Sequence, residues 1–284
     1  MELTEVLNQP KTDQIEKAAL NFDCNAFFSQ YFKFLSLLEF ELNDSRIQSH
    51  MNLLTNDFIL NSVDGIIKSK VDYLRRINIL GSWKNARHIL SVNFIEKENN
   101  RFFVETDILY LNILPNNETS KYTLQHLVEF VIPENGLPLI KHIATNNVKY
   151  CSGEKPVFIH SYHVNRSKSL AYYWFHCLNT FESNPENFKA IIPLKFCIEF
   201  DDSTKINNWI EFTKWLYKRK NQHYKITDIF VELVNTNVYK LKIQTEYQKP
   251  NDSTIYKTYE IWDVENNPDY QYPKIKHMSI AKLD

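Results

Sequence analysis

Leu137-Pro138-Leu139-Ile140-Lys141-His142-Ile143 in the middle of the chain and Tyr272-Pro273-Lys274-Ile275-Lys276-His277-Met278 near its end share the pattern Pro-x-Ile-Lys-His followed by an apolar residue. A pattern this particular, met twice in 284 residues, points to an internal repeat. Working back from each copy, the same succession appears. An aromatic-rich helical stretch comes first, FFSQYFKFL from Phe27 in one half and LAYYWFHCL from Leu170 in the other. A short helix leading into a strand follows, within His50 to Leu60 and within Phe188 to Phe200. Next is a helix, Ile66 to Ile79 and Ile206 to Arg219; in the latter, Trp209, Phe212, Trp215 and Leu216 recur at helical spacing. Three long alternating segments close each half: Ala86 to Ile95, Arg101 to Leu114 and Tyr122 to Ile132, then Lys225 to Val234, Val238 to Gln248 and Tyr256 to Val264. Thr106-Asp107 falls on Thr245-Glu246 at an offset of about 140 residues, close to that of the Pro-x-Ile-Lys-His copies.

Helices followed by antiparallel strands, twice over, predict an α+β protein. The expected domains are 12–146 and 164–284, joined by a linker at 147–163 in which Gly153-Glu154-Lys155-Pro156 breaks any pattern. The 19 Phe, 16 Tyr and 5 Trp supply two cores and exclude a disordered chain. The 4 glycines, Gly65, Gly81, Gly136 and Gly153, are too scattered for G-x-G-x-x-G, for G-x-x-x-x-G-K-[ST] or for a G-x-S-x-G elbow. Phosphate-cradling loops and elbow-type serine hydrolysis drop out, and no cofactor is implied. A net charge of −1 gives nucleic acid no basic footprint, and Lys214 to Lys220 reads as a solvated helix end. Cys24, Cys151, Cys177 and Cys197 lie far apart and read as reduced thiols. His160 and His163 near Cys151 lack a fourth ligand, so no metal is expected. The acidic start Met1-Glu2-Leu3-Thr4-Glu5 and the lack of a long uncharged apolar run predict a cytoplasmic location and no membrane partner.

Several stretches together resemble the SnoaL-like branch of the nuclear transport factor 2-like superfamily, present in tandem. Leu53-Leu54-Thr55-Asn56-Asp57-Phe58-Ile59-Leu60 is similar to that branch's "L-x-x-D-D-a-v-a" strand, followed by Asp64-Gly65 as the loop before a third helix. Trp83 to Leu90 (WKNARHIL) is similar to the "H-x-v-x-n" opening of its long sheet. Phe212 to Tyr217 (FTKWLY) resembles an "F-x-x-W-Y" helix with one extra residue, and Glu260-Ile261-Trp262 stands where many members have "Q-x-W". The resemblance implies two cystatin-like cones, each with three N-terminal helices packed in a curved antiparallel sheet that leaves an apolar cavity at its open end. It also implies a choice among isomerases, polyketide cyclases, dehydratase-like lyases and non-catalytic binding or scaffold modules.

Period-2 alternation assigns candidate faces. Ala86, His88, Leu90, Val92 and Phe94 share one face of the first long strand; Val104, Thr106, Ile108 and Tyr110, then Leu124, His126, Val128 and Phe130, share the faces of the next two. The polar members, His88, Thr106, Tyr110 and His126, are candidates for a cavity lining. In the second half the candidates are Thr245, Tyr247, Glu260 and Trp262. The resemblance puts His88 at the general-base histidine of the lyase members, with no clear helical carboxylate to complete the pair. Phe103, Leu109 and Leu111 give the first half a partly apolar outer face, suggesting an internal pseudo-dimer or a homodimer through sheet faces. Three readings follow: binding of a small apolar molecule, which we favour; a cofactor-independent isomerase, cyclase or dehydratase acting through His88; and a protein–protein scaffold with filled cavities.

Overall fold

The computed structural model of the chain describes residues 24–37, 44–80, 84–98, 101–113, 118–134, 136–152, 161–180, 185–219, 222–235, 237–249 and 254–283. The chain divides into two compact units, one containing Gln30–Asn165 and the other Asp23–Ser29 with Arg166–Asp284.

Along the first half run α1 (Cys24–Leu37), α2 (Asp44–Met51), β1 (Leu54–Ser62), β2 (Gly65–Ile67), α3 (Lys70–Leu80), β3 (Lys84–Glu98), β4 (Arg101–Ile113), β5 (Thr119–Val131) and β6 (Leu139–Tyr150). The second half repeats the order with α4 (Ser161–Asn179), a 3₁₀ turn (Pro185–Ala190), β7 (Cys197–Phe200), β8 (Lys205–Ile206), α5 (Trp209–Tyr217), β9 (His223–Asn235), β10 (Val238–Gln248), β11 (Ile255–Glu265) and β12 (Lys274–Leu283). The sheet orders are β2-β1-β6-β5-β4-β3 and β8-β7-β12-β11-β10-β9. In each sheet one pairing is parallel, β1 with β6 and β7 with β12. This is the expected α+β class, with the element order and the sheet order of the first half repeated in the second. β6 runs to Tyr150 and α4 starts at Ser161, so regular structure occupies both ends of the 147–163 segment.

The repeated Pro-x-Ile-Lys-His motif opens β6 and β12, a fourth long strand in each half beyond the three that alternation predicts. Its role is a β-bulge. Phe130 pairs with Ile140 and Glu129 with His142, so Lys141 is the extra residue; Val264 pairs with Ile275 and Asp263 with His277, so Lys276 is. The bulge lets apolar residues three apart face inward: Ile140 and Ile143 are buried, as are Ile275 and Met278. In both copies the motif isoleucine also bonds to the turn that precedes the first strand of its half, Ile140 N donating to Leu53 O at 2.8 Å and Ile275 N to Ile191 O at 2.9 Å.

Two helices start later than their apolar spacing predicts. Ile66 and Ile67 pair with Asn61 and Leu60 in a hairpin that turns at Gly65, whose φ of 130° suits glycine. Ile206 likewise pairs with Ile198. The caps set the true starts: Ser69 Oγ accepts from Asp72 N at 3.1 Å ahead of α3, and Asn208 Oδ1 accepts from Glu211 N at 3.0 Å ahead of α5.

Candidate functional site

In the first unit the helices cover the sheet face that carries Thr106. Tyr31 of α1 reaches it with its hydroxyl 2.7 Å from Thr106 Oγ1 and 3.1 Å from His126 Nδ1. Register orders that face into rows. Val92, Thr106, His126 and Thr145 form the deepest polar row; Ile89, Ile108 and Leu124 form an apolar one; Arg87, Tyr110, Tyr122 and Tyr150 form the next. Asn85, Asn112 and Ser120 follow, with the Tyr110 hydroxyl donating to Asn85 Oδ1 at 2.5 Å.

The third row overturns one expectation. Ile89 pairs with Ile108 and Ser91 with Asp107, so Leu90 is an extra residue and the parity of β3 changes there. Arg87 therefore lies opposite Tyr110, while His88 lies opposite Leu109 on the other face. Thr106, Tyr110 and His126 share the inner face as alternation predicts; His88 is not brought to them. The physical reason is the bulge, since a one-residue slip sends every side chain beyond it to the opposite face.

Arg87 is the residue the sequence reading missed. Its guanidinium lies 5.0 Å from the centre of the Tyr110 ring. Its charge acts on Tyr31, His50, Tyr73, Tyr110 and His126. His50, from α2, is fully buried, stacked on Phe34 at 4.5 Å, with Nε2 3.0 Å from the Tyr73 hydroxyl. Its Nδ1 has no hydrogen-bond partner among the described residues. Burial, reinforced by Arg87, lowers both His50 and His126 to about 3, so both imidazoles are neutral at physiological pH. Burial also raises Tyr31, Tyr73 and Tyr110, keeping their hydroxyls protonated. Among the described residues, this face and the helices against it thus bring together the Arg87 guanidinium, neutral imidazoles and phenol donors.

The second unit builds its interior differently. Trp174 of α4 meets Phe188 at 5.1 Å, Trp262 at 5.6 Å, Phe212 at 6.1 Å and Trp215 at 6.3 Å. Thr245, Glu260 and Trp262 lie on one face and are buried. They form a chain: Thr245 Oγ1 is 2.5 Å from Thr258 Oγ1, Thr258 Oγ1 is 3.3 Å from Glu260 Oε1, and Trp262 Nε1 donates to Glu260 Oε2 at 2.9 Å. Burial raises the Glu260 carboxyl to about 7 against the pull of Trp262, Arg219 and Thr258. Tyr247 stands apart from this chain, half-buried and stacked between Tyr224 at 5.3 Å and Tyr256 at 5.2 Å. Among the described residues there is no group of three His, Cys, Asp or Glu placed to hold a metal ion, and no helix is long and apolar enough to cross a membrane.

No protein-family model matches the chain, and no curated protein matches it. Solved structures do. An uncharacterised Caulobacter vibrioides protein with a cystatin-like fold is 9% identical, covering 43% of this chain and 89% of its own, with a TM-score of 0.36. A candidate scytalone dehydratase from Novosphingobium aromaticivorans is 10% identical, covering 49% and 93%, with a TM-score of 0.41. A candidate ketosteroid isomerase from Parabacteroides distasonis is 14% identical, covering 41% and 87%, with a TM-score of 0.34.

Proposed function

We propose that the first unit is a small-molecule-binding module and that the second is its structural counterpart, its interior occupied by its own rings. The carrying observation is the inward position of Arg87, whose charge acts on Tyr31, His50, Tyr73, Tyr110 and His126. A cation, hydroxyls and a fully buried imidazole nitrogen without a partner are costly to assemble in a purely structural core. An apolar row between two polar rows suits a molecule with an apolar body and oxygen at its ends. Binding is favoured over proton abstraction. His50 and His126, at about 3, are weak bases, and His88 is on the opposite face.

The test is a fragment set of neutral and charged ring compounds screened against the full chain by ligand-observed magnetic resonance. Binders are expected that weaken about fivefold in Tyr31→Phe, the cost of one lost hydrogen bond of about 1 kcal/mol, and that keep their affinity in Tyr247→Phe. A set with no binder, or binders lost in Tyr247→Phe and kept in Tyr31→Phe, contradicts the proposal.

A further inference from the structure

We propose that the outermost strand of the first unit, β2, is a self-association edge: two copies of the chain pair β2 against β2, antiparallel, about a twofold axis at Ile66. The inference is independent of the binding reading and starts from the repeat. β2 and β8 end their sheets at matching places, so the outer side of each has no strand beside it among the described residues. Their positions can be equated through the motif copies. Leu60 lies beside Ile143 and Ile198 beside Met278, so Leu60 and Ile198 correspond. One strand outward, Ile67 then corresponds to Ile206, and Ile66 to Lys205.

The two edges differ at that position. The second unit carries Lys205, tied to Glu199 at 3.1 Å, and a charged residue of this kind keeps a sheet edge from pairing. The first unit carries Ile66, which is 61% exposed. Val63 in the turn before it and Val71 in α3 after it are 67% and 58% exposed. The matching turn of the second unit, Asp201-Asp202-Ser203-Thr204, has no apolar residue. Only the first edge therefore combines open peptide groups with exposed apolar side chains.

Charge selects a second copy as the occupant. Pairing about Ile66 sets Ile66 against Ile66, Gly65 against Ile67 and Asp64 against Lys68, so each end of the ladder joins an acid to a base. Asp64 is bonded to Arg76 at 2.7 Å yet keeps 66% of its side chain exposed, leaving its carboxylate open to a second cation. Lys68 is exposed as well. The contact is small beside a standard interface of about 1,600 Å², and a dissociation constant on the order of 100 µM is expected.

The experiment is sedimentation equilibrium of the full chain at low salt, up to about 1 mM, where such an affinity gives mostly dimer. Ile66→Lys gives the first edge the residue of the second and should weaken the dimer at least tenfold, since it removes apolar contact and sets two like charges opposite each other. Ile66 is exposed, so the fold should be kept. Lys68→Glu should weaken the dimer about threefold, an effect that fades with added salt. The double variant Asp64→Lys, Lys68→Glu should recover that loss, because the exchanged charges meet again across the axis. A chain that stays monomeric throughout overturns the proposal. A dimer that Ile66→Lys leaves intact overturns it too and points to the sheet faces instead. Failure of the double variant to recover contradicts the pairing about Ile66.

Discussion

The two units share element order, sheet order and the bulge at the Pro-x-Ile-Lys-His lysine, yet their interiors are chemical opposites. At matching places in the repeat, Tyr31 bonds to Thr106 and His126 in the first unit, while Trp174 packs on Trp262, Phe188 and Phe212 in the second. The first interior holds Arg87 and two neutral histidines, the second a carboxyl with a proton affinity near neutrality. One backbone plan therefore carries two interiors, and the difference lies in a few inward side chains and in where a bulge falls. β3 carries extra residues at Leu90 and Ile95 and β9 at Thr227 and Val234; Leu90 and Thr227 stand two places apart against the repeat.

The comparison breaks most visibly by truncating the central ring of the second unit. Trp174→Ala should cost about 3–5 kcal/mol, the range for removing a large buried aromatic, read by denaturant unfolding. A loss below about 1 kcal/mol would mean the rings do not fill that interior.

The pH responses should also run in opposite directions. Glu260 is raised from 4.5 to about 7 in the folded chain, so its contribution is complete below pH 4.5 and is lost as pH rises through 7. At about 1.4 kcal/mol per pKa unit, the loss is up to about 3 kcal/mol. Glu260→Gln should remove it. His50 and His126 are lowered from 6.5 to about 3, so their contribution is present above pH 6.5 and is lost as pH falls toward 3. Hydrogen exchange resolved by residue should show β10 and β11 weakening from pH 5 to 8, and β4 and β5 weakening from pH 6 to 4. Parallel trends in the two sheets would contradict the contrast.

The smallest effect is expected at Tyr31→Phe, about 1 kcal/mol of stability from lost hydrogen bonds. A cost like that of Trp174→Ala would show that the two positions do the same packing work.

The repeat, the α+β class and most strand faces are legible in the sequence because they follow from local periodicity. Thr106, Tyr110 and His126 emerge by simple alternation, which holds in β4 and β5 where pairing is unbroken. His88 and Arg87 do not, because a β-bulge leaves no mark in hydrophobicity: Leu90 reads as an ordinary apolar strand residue. The Pro-x-Ile-Lys-His copies announce themselves as a repeat, but that their lysine is a bulge appears only from the pairing of Ile140 and His142 against β5. Tyr31, His50 and Tyr73 sit on helices whose apolar neighbours mask them, and only the sheet opposite reveals their hydroxyls and imidazole as a group.

The central claim is that the Arg87 guanidinium acts on two neutral, buried histidines of the first unit. The most direct measurement is a magnetic resonance titration of the 9 histidines from pH 8 to 4. His50 and His126 should stay unprotonated throughout, consistent with values of about 3, and Arg87→Met should move both upward as the repelling charge is removed. Titration of either near its ordinary 6.5, unmoved by Arg87→Met, would contradict the account.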